Sequence, residues 1–116
     1  SGSVQTINRV VQFFHPDIQH QVRTRLADSM LGVLSQRLLK RRDDIKWRIA
    51  IFELMLINSG IKNLIRTGDL GQITNAIQMG RSEWMVPMIV SAQERENAGI
   101  IHREDYAGFF TNQEDL

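Results

Sequence analysis

The side chains best suited to acid–base or metal chemistry are three histidines, His15, His20 and His102, and their spacing speaks against both roles. A mononuclear metal site needs two or three imidazole or carboxylate donors on converging faces. His15 and His20 stand five residues apart and so do not share a helical face; each reads as a solvated or capping imidazole. Cysteine is absent, which removes disulfides, thiolate ligands and a cysteine nucleophile. No strained strand-to-helix elbow presents a serine for nucleophilic attack. A phosphate-binding loop would require closely spaced glycines ahead of a Lys-Ser or Lys-Thr pair, so that backbone N–H groups converge on phosphate oxygens. The glycines stand instead where helices would end. The chain is therefore expected to carry no catalytic, cofactor-binding or metal-ligating residue of its own, and to be inactive as an enzyme in isolation.

Two charged features remain. The stretch Arg37, Lys40, Arg41, Arg42, Lys46 and Arg48 is basic, with only Asp43 and Asp44 opposing it. It could be the solvated tip of a hairpin, or it could bind phosphates or an acidic protein. Readers of nucleic acid usually add stacking aromatics or a recognition helix, and only Trp47 stands nearby, so no nucleic-acid partner is expected. Glu53 interrupts an apolar run, where an ionised carboxylate is costly unless paired or turned outward. Either strand alternation exposes it, or it meets a basic side chain, including one from a neighbouring subunit or domain.

The elements that must position these residues follow from apolar spacing in a chain of 116 residues, 42% hydrophobic and with a formal net charge of +1. That is one modest domain with no global pull toward nucleic acid or an anionic membrane. The absence of cysteine fits a reducing compartment, and no apolar run is long enough to span a bilayer. Val4, Ile7, Val10, Val11 and Phe14 share one face of a helix over residues 3–14. Pro16 opens a second helix, whose set Ile18, Val22, Leu26, Met30, Val33 and Leu34 carries it toward Ser35. Residues 36–57 read as a β-hairpin turning at Asp43-Asp44, with the stretch from Arg48 to Ile57 as a largely buried strand. Asn58-Ser59 and Gly68 delimit a short helix anchored by Ile61, Leu64 and Ile65; Asp69 and Gly80 delimit another. Pro87 forces the next helix to start near Met85 or Val86, and Gly99 stops it. The fold expected is mainly α with one small β-hairpin: two helices over 1–35, the hairpin over 36–57, short helices over 58–110, and a frayed polar tail over 111–116.

Several stretches together resemble a known family. Thr6-Ile-Asn-Arg-Val-Val11, Phe14, Val22-Arg and Leu26-Ala-Asp-Ser-Met-Leu-Gly-Val-Leu-Ser-Gln-Arg-Leu-Leu39 are similar to the segment after the His box of type IV pilus retraction ATPases (PilT-like), in the type II/IV secretion ATPase superfamily. Arg48-Ile-Ala-Ile-Phe-Glu-Leu-Met-Leu56 resembles the strand that follows, Glu53 included. Gly60-Ile-Lys-Asn-Leu-Ile-Arg-Thr67 resembles the retraction motif Ala-Ile-Arg-Asn-Leu-Ile-Arg-Glu, and Ala76-Ile-Gln-Met-Gly80 and Gly99-Ile-Ile-His-Arg-Glu104 resemble later stretches in order. The resemblance covers about residues 3–105. It implies the C-terminal helical part of a RecA-like motor domain, cut from a longer chain whose Walker and His-box motifs lie upstream. It further implies a homo-hexameric parent that uses ATP and Mg2+, works in the cytoplasm at the inner membrane without spanning it, and acts on pilus or secretion platform proteins. Ile61, Lys62, Asn63, Leu64, Ile65 and Arg66 would then form a coupling motif, with Lys62, Asn63 and Arg66 displayed.

The departures are Gly60, Lys62 and Thr67 within the motif, and Trp84-Met-Val-Pro-Met-Ile89 where the family has Gly-Met-Gln-Thr-Leu-Asp. They leave the subtype open among a divergent retraction ATPase, an accessory paralogue and another secretion ATPase.

Overall fold

A computed structural model describes residues 2–43 and 46–110. The polar tail over 111–116, Ser1 and Asp44 of the anticipated turn lie outside the described residues. The chain runs α1 (Ser3–Gln12), α2 (Gln19–Ser29), β1 (Gly32–Leu39), β2 (Ile49–Leu56), α3 (Ser59–Thr67), α4 (Ile73–Met79) and α5 (Met88–Asn97), with short 3-10 turns between and after them. The mainly helical architecture with one hairpin agrees with the expected class.

Several boundaries differ from expectation; α2 and α4 begin at Gln19 and Ile73, each after a 3-10 turn, over Pro16–Ile18 and Leu70–Gln72 respectively. The second helix ends at Ser29, and the hairpin begins at Gly32 rather than at residue 36. Met30 is already extended, with φ −75° and ψ 142°. Val33 and Leu34 therefore belong to a strand whose burial alternates with period two. Gly32 marks the switch: a Cβ there would lie 2.7 Å from the Met55 carbonyl oxygen, so only glycine lets the strands approach this closely. The last long helix starts at Met88, after Pro87, because Val86 is held in a β-bridge to Leu54.

β1 and β2 are antiparallel in the register Val33↔Met55, Ser35↔Glu53, Arg37↔Ile51 and Leu39↔Ile49, and these pairs form the inner face. Met55 anchors one core with Ile7, Val11, Ala27, Ile61, Ile65, Ile73, Ile77 and Met85. Ile51 anchors a second with Leu39, Met88, Ala92, Ile101 and Tyr106. Glu53 stands between the two on the same face. The edge of β2 away from β1 is engaged at Ala50, Phe52 and Leu54. Leu54 and Val86 exchange both backbone hydrogen bonds at 2.9 and 3.0 Å, the Phe52 N–H donates to Ser91 Oγ at 3.1 Å, and Arg95 Nε donates to the Ala50 carbonyl at 3.4 Å. An edge strand satisfied in this way cannot template further pairing on that side.

The inward line of α1 also differs from the apolar set read from spacing. Ser3, Ile7 and Val11 are buried, whereas Val10 and Phe14 face outward and Phe13 is 85% exposed. No helix among the described residues is long and apolar enough to cross a membrane.

Candidate functional site

The motif lies on α3, and its local sequence explains the helix completely. Asn58 caps the N-terminus by accepting the Ile61 N–H at 2.8 Å through its side-chain oxygen. Gly68 ends it in the left-handed region, φ 78°, where the Gly68 and Asp69 N–H groups bond the Ile65 and Leu64 carbonyls. A residue with a Cβ is strained in that conformation and glycine is not. Ile61 and Ile65 are fully buried and Leu64 half-buried, as the spacing predicts.

The opposite face holds the polar members. Asn63 is exposed, and Lys62 and Arg66 lie four residues apart, hence side by side on the helix surface. Both reach one oxygen of Asp28 in the last turn of α2: Lys62 Nζ stands 3.5 Å and Arg66 Nη2 3.3 Å from Asp28 Oδ1. All three side chains keep between 40% and 52% of their surface in solvent. A second α2 side chain meets the end of the same helix, since Arg23 Nε lies 3.2 Å from where a Gly68 Cβ would be. The structure thus brings all six motif residues onto one short helix and adds Asp28, which the sequence reading missed. The available signal was weak: α3 carries two cations and no acid, and Asp28 is the only acid in α2.

Glu53 is half-buried, and among the described residues its partner is a backbone N–H rather than a cation. Its Oε1 accepts the Ser3 N–H at 2.9 Å, placing a carboxylate at the N-terminus of α1, where the helix dipole favours negative charge. The basic run does not form one face. Arg37 turns to the inner face of the hairpin, with its guanidinium 4.0 Å from the Phe109 ring centre, a cation–π contact. Arg41 forms a two-point pair with Asp43 at 3.1 and 3.3 Å, which raises its pKa further. Arg42, Lys46 and Arg48 are exposed in the connection. The run is split by the end of β1 at Leu39: Arg37 still belongs to the strand and takes its inner face, whereas the later cations stand in the connection to β2.

Away from the motif, Arg103 makes a two-point pair with Glu96 at 3.1 and 3.3 Å, and the Tyr106 hydroxyl donates to the same carboxylate. The hydrogen bonds from Arg103 and then Tyr106 hold Glu96 below the usual carboxylate range, while burial and the Glu96 contact push Tyr106 up. His15 Nδ1 accepts the Asp17 N–H at 3.2 Å and so caps a 3-10 turn. No group of three His, Asp or Glu side chains among the described residues is arranged to hold a metal ion.

No protein-family model matches the chain. It is 34% identical over 104 residues to the twitching motility protein of Neisseria gonorrhoeae, across 90% of this chain and 28% of that protein. Against the type IV pilus retraction ATPase PilT of Pseudomonas aeruginosa it is 33% identical over 105 residues, across 90% of this chain and 30% of the relative. In fold it matches the solved structure of the pilus retraction motor PilT with bound ADP, with a TM-score of 0.80 and 30% identity over the whole chain and 32% of that structure. The chain thus spans about three-tenths of the length of the proteins it matches. In sequence and fold alike it is PilT-like, as the motif stretches imply.

Proposed function

We propose that this chain is the C-terminal part of a hexameric motor ATPase that powers pilus retraction or a related secretion machine from the cytoplasmic side of the inner membrane. In that parent, ATP and Mg2+ belong to the remainder of the protein. This part serves coupling and subunit contact.

The observation that carries the reading is the division of labour on α3, in a chain that resembles retraction motors over nine-tenths of its length. Two fully buried isoleucines fix the helix to the core, and Lys62, Asn63 and Arg66 stand on the other side, reachable from solvent. A helix held rigidly by one face and polar on the other suits transmission of force to a partner better than nucleotide chemistry. The outer face of the hairpin supports a larger assembly. Leu34 and Leu38 are 69% and 59% exposed there, and Leu34 lines an open groove with Gln36, Ala50 and Phe52, a pattern that marks contact with further protein.

The test uses the full-length parent with Lys62→Ala, Asn63→Ala and Arg66→Ala together. ATP hydrolysis and nucleotide affinity are expected to persist while pilus-dependent motility is lost. Loss of hydrolysis and nucleotide affinity with motility unaffected would overturn the assignment.

A further inference from the structure

We infer that Asp28 is a positioning residue for the motif, holding Lys62 and Arg66 side by side in the arrangement that the helix presents to its partner. The inference rests on the coupling role proposed above and names what sets the geometry of that site.

Lys62 and Arg66 are neighbours of like charge on α3, a helix without an acid of its own, and like charges four apart repel. A single oxygen, Asp28 Oδ1, takes both at 3.5 and 3.3 Å, and the Arg66 contact is also a hydrogen bond. One acceptor shared by two cations favours their standing side by side, and not only their contact with α2. The location of Asp28 is telling on a second ground. It lies in the last turn of α2, where the helix dipole disfavours a carboxylate. Helix preference therefore does not explain an acid at this position, and the two cations beside it do.

The three side chains remain about half in solvent, so the arrangement is reachable from outside. Exposed pairs of this kind are weak and exchange partners readily. The carboxylate thus holds the cations ready without sequestering them. Asp28 also ties the motif to the hairpin, because β1 begins four residues later at Gly32. Arg23 lies against Gly68 at the far end of the same helix.

The experiment uses the full-length parent with Asp28→Asn, which keeps size and polarity but removes charge, with Asp28→Glu, and with Lys62→Ala plus Arg66→Ala. ATP hydrolysis, as kcat and KM, is read beside motility. Asp28→Asn is expected to lower motility by about threefold or more while kcat and KM hold within about twofold, the scale set by loss of exposed ion pairs. Asp28→Glu is expected to restore motility, and adding Asp28→Asn to the double variant to cause no further loss. Full motility of Asp28→Asn beside a non-motile Lys62/Arg66 variant would overturn the inference and leave the coupling role standing. Full motility of both would overturn the coupling role and the inference with it. A fall in kcat matching the fall in motility, or no rescue by Asp28→Glu, would mark Asp28 as merely structural and also overturn the inference. Asp28→Ser replaces Asp28→Asn if the latter fails to accumulate, with the same expected pattern.

Discussion

If one face of α3 is built to hold and the other to act, two substitutions one residue apart must have very different costs. Ile65 is fully buried in the first core, whereas the neighbouring Arg66 side chain is 42% exposed. Ile65→Ala removes three carbons, a transfer loss of roughly 2.4 kcal/mol at ~0.8 kcal/mol each. The residual cavity adds to it, for a total of about 3–4 kcal/mol. In a chain of this size each kcal/mol moves the thermal midpoint by about 4 °C, so a fall of roughly 12–16 °C is expected. Arg66→Ala loses one of two half-exposed contacts with Asp28, worth roughly 0.2–1 kcal/mol, and lowers the midpoint by at most about 4 °C. Urea and thermal unfolding followed by circular dichroism would measure both, with an unchanged urea slope confirming that the unfolded states are comparable. Equal costs for the two variants would refute the reasoning, since Arg66 would then be part of what holds the fold together.

Two further predictions concern the region after α4. Trp84 has φ 73° and is 83% exposed. Trp84→Gly should relieve roughly 1–2 kcal/mol of left-handed strain against roughly 0.5–1 kcal/mol of added chain entropy, raising the thermal midpoint by a few degrees; a lower midpoint would contradict this. Glu96 is held below its unfolded pKa by Arg103 and Tyr106, so its contribution is present above the ordinary carboxylate range and is lost as pH falls through the folded value. Between about pH 6 and about pH 3 the midpoint of Glu96→Gln should therefore fall less than that of the unsubstituted chain, and parallel curves would exclude the pair as a source of acid sensitivity.

How much of this was legible in the sequence depended on whether the deciding force was local. The motif helix was read nearly to the residue, because Asn58, Ser59 and Gly68 carry their own capping chemistry and Ile61, Leu64 and Ile65 show the period. The second strand was legible as an apolar, β-branched run, expected over 48–57 and found over Ile49–Leu56. The boundary near residue 30 was not, since Met30, Val33 and Leu34 fit the helical period that precedes them as well as a strand. Only pairing with β2 distinguishes the two. The inward face of α1 was hidden for a related reason. Glu53, fifty residues away, accepts the Ser3 N–H and draws a serine into the interior, leaving Phe13 outside. Asp28 carries no local signal, because its cations lie 34 and 38 residues further along the chain.

The same long-range contacts decide where the molecule is stiff and where it can yield. A one-residue slip of the hairpin would turn Ile51 and Met55 out of their cores and put Phe52 and Leu56, or Ala50 and Leu54, in their place, so the register is strongly held. The far edge of β2 is engaged by Val86, Ser91 and Arg95, which restrains that side of the strand. On α3, Ile61 and Ile65 forbid rotation about the helix axis without opening a cavity. Ala27 of α2 shares the buried core with Ile61 and Ile65, so what can yield between the two helices is the half-exposed charge layer of Asp28, Lys62 and Arg66 above that core, where breaking a contact costs little. A relay needs stiff members and a yielding joint where the partner can intervene. In the proposed motor the hairpin and the buried face of α3 supply the first, and the shared carboxylate supplies the second.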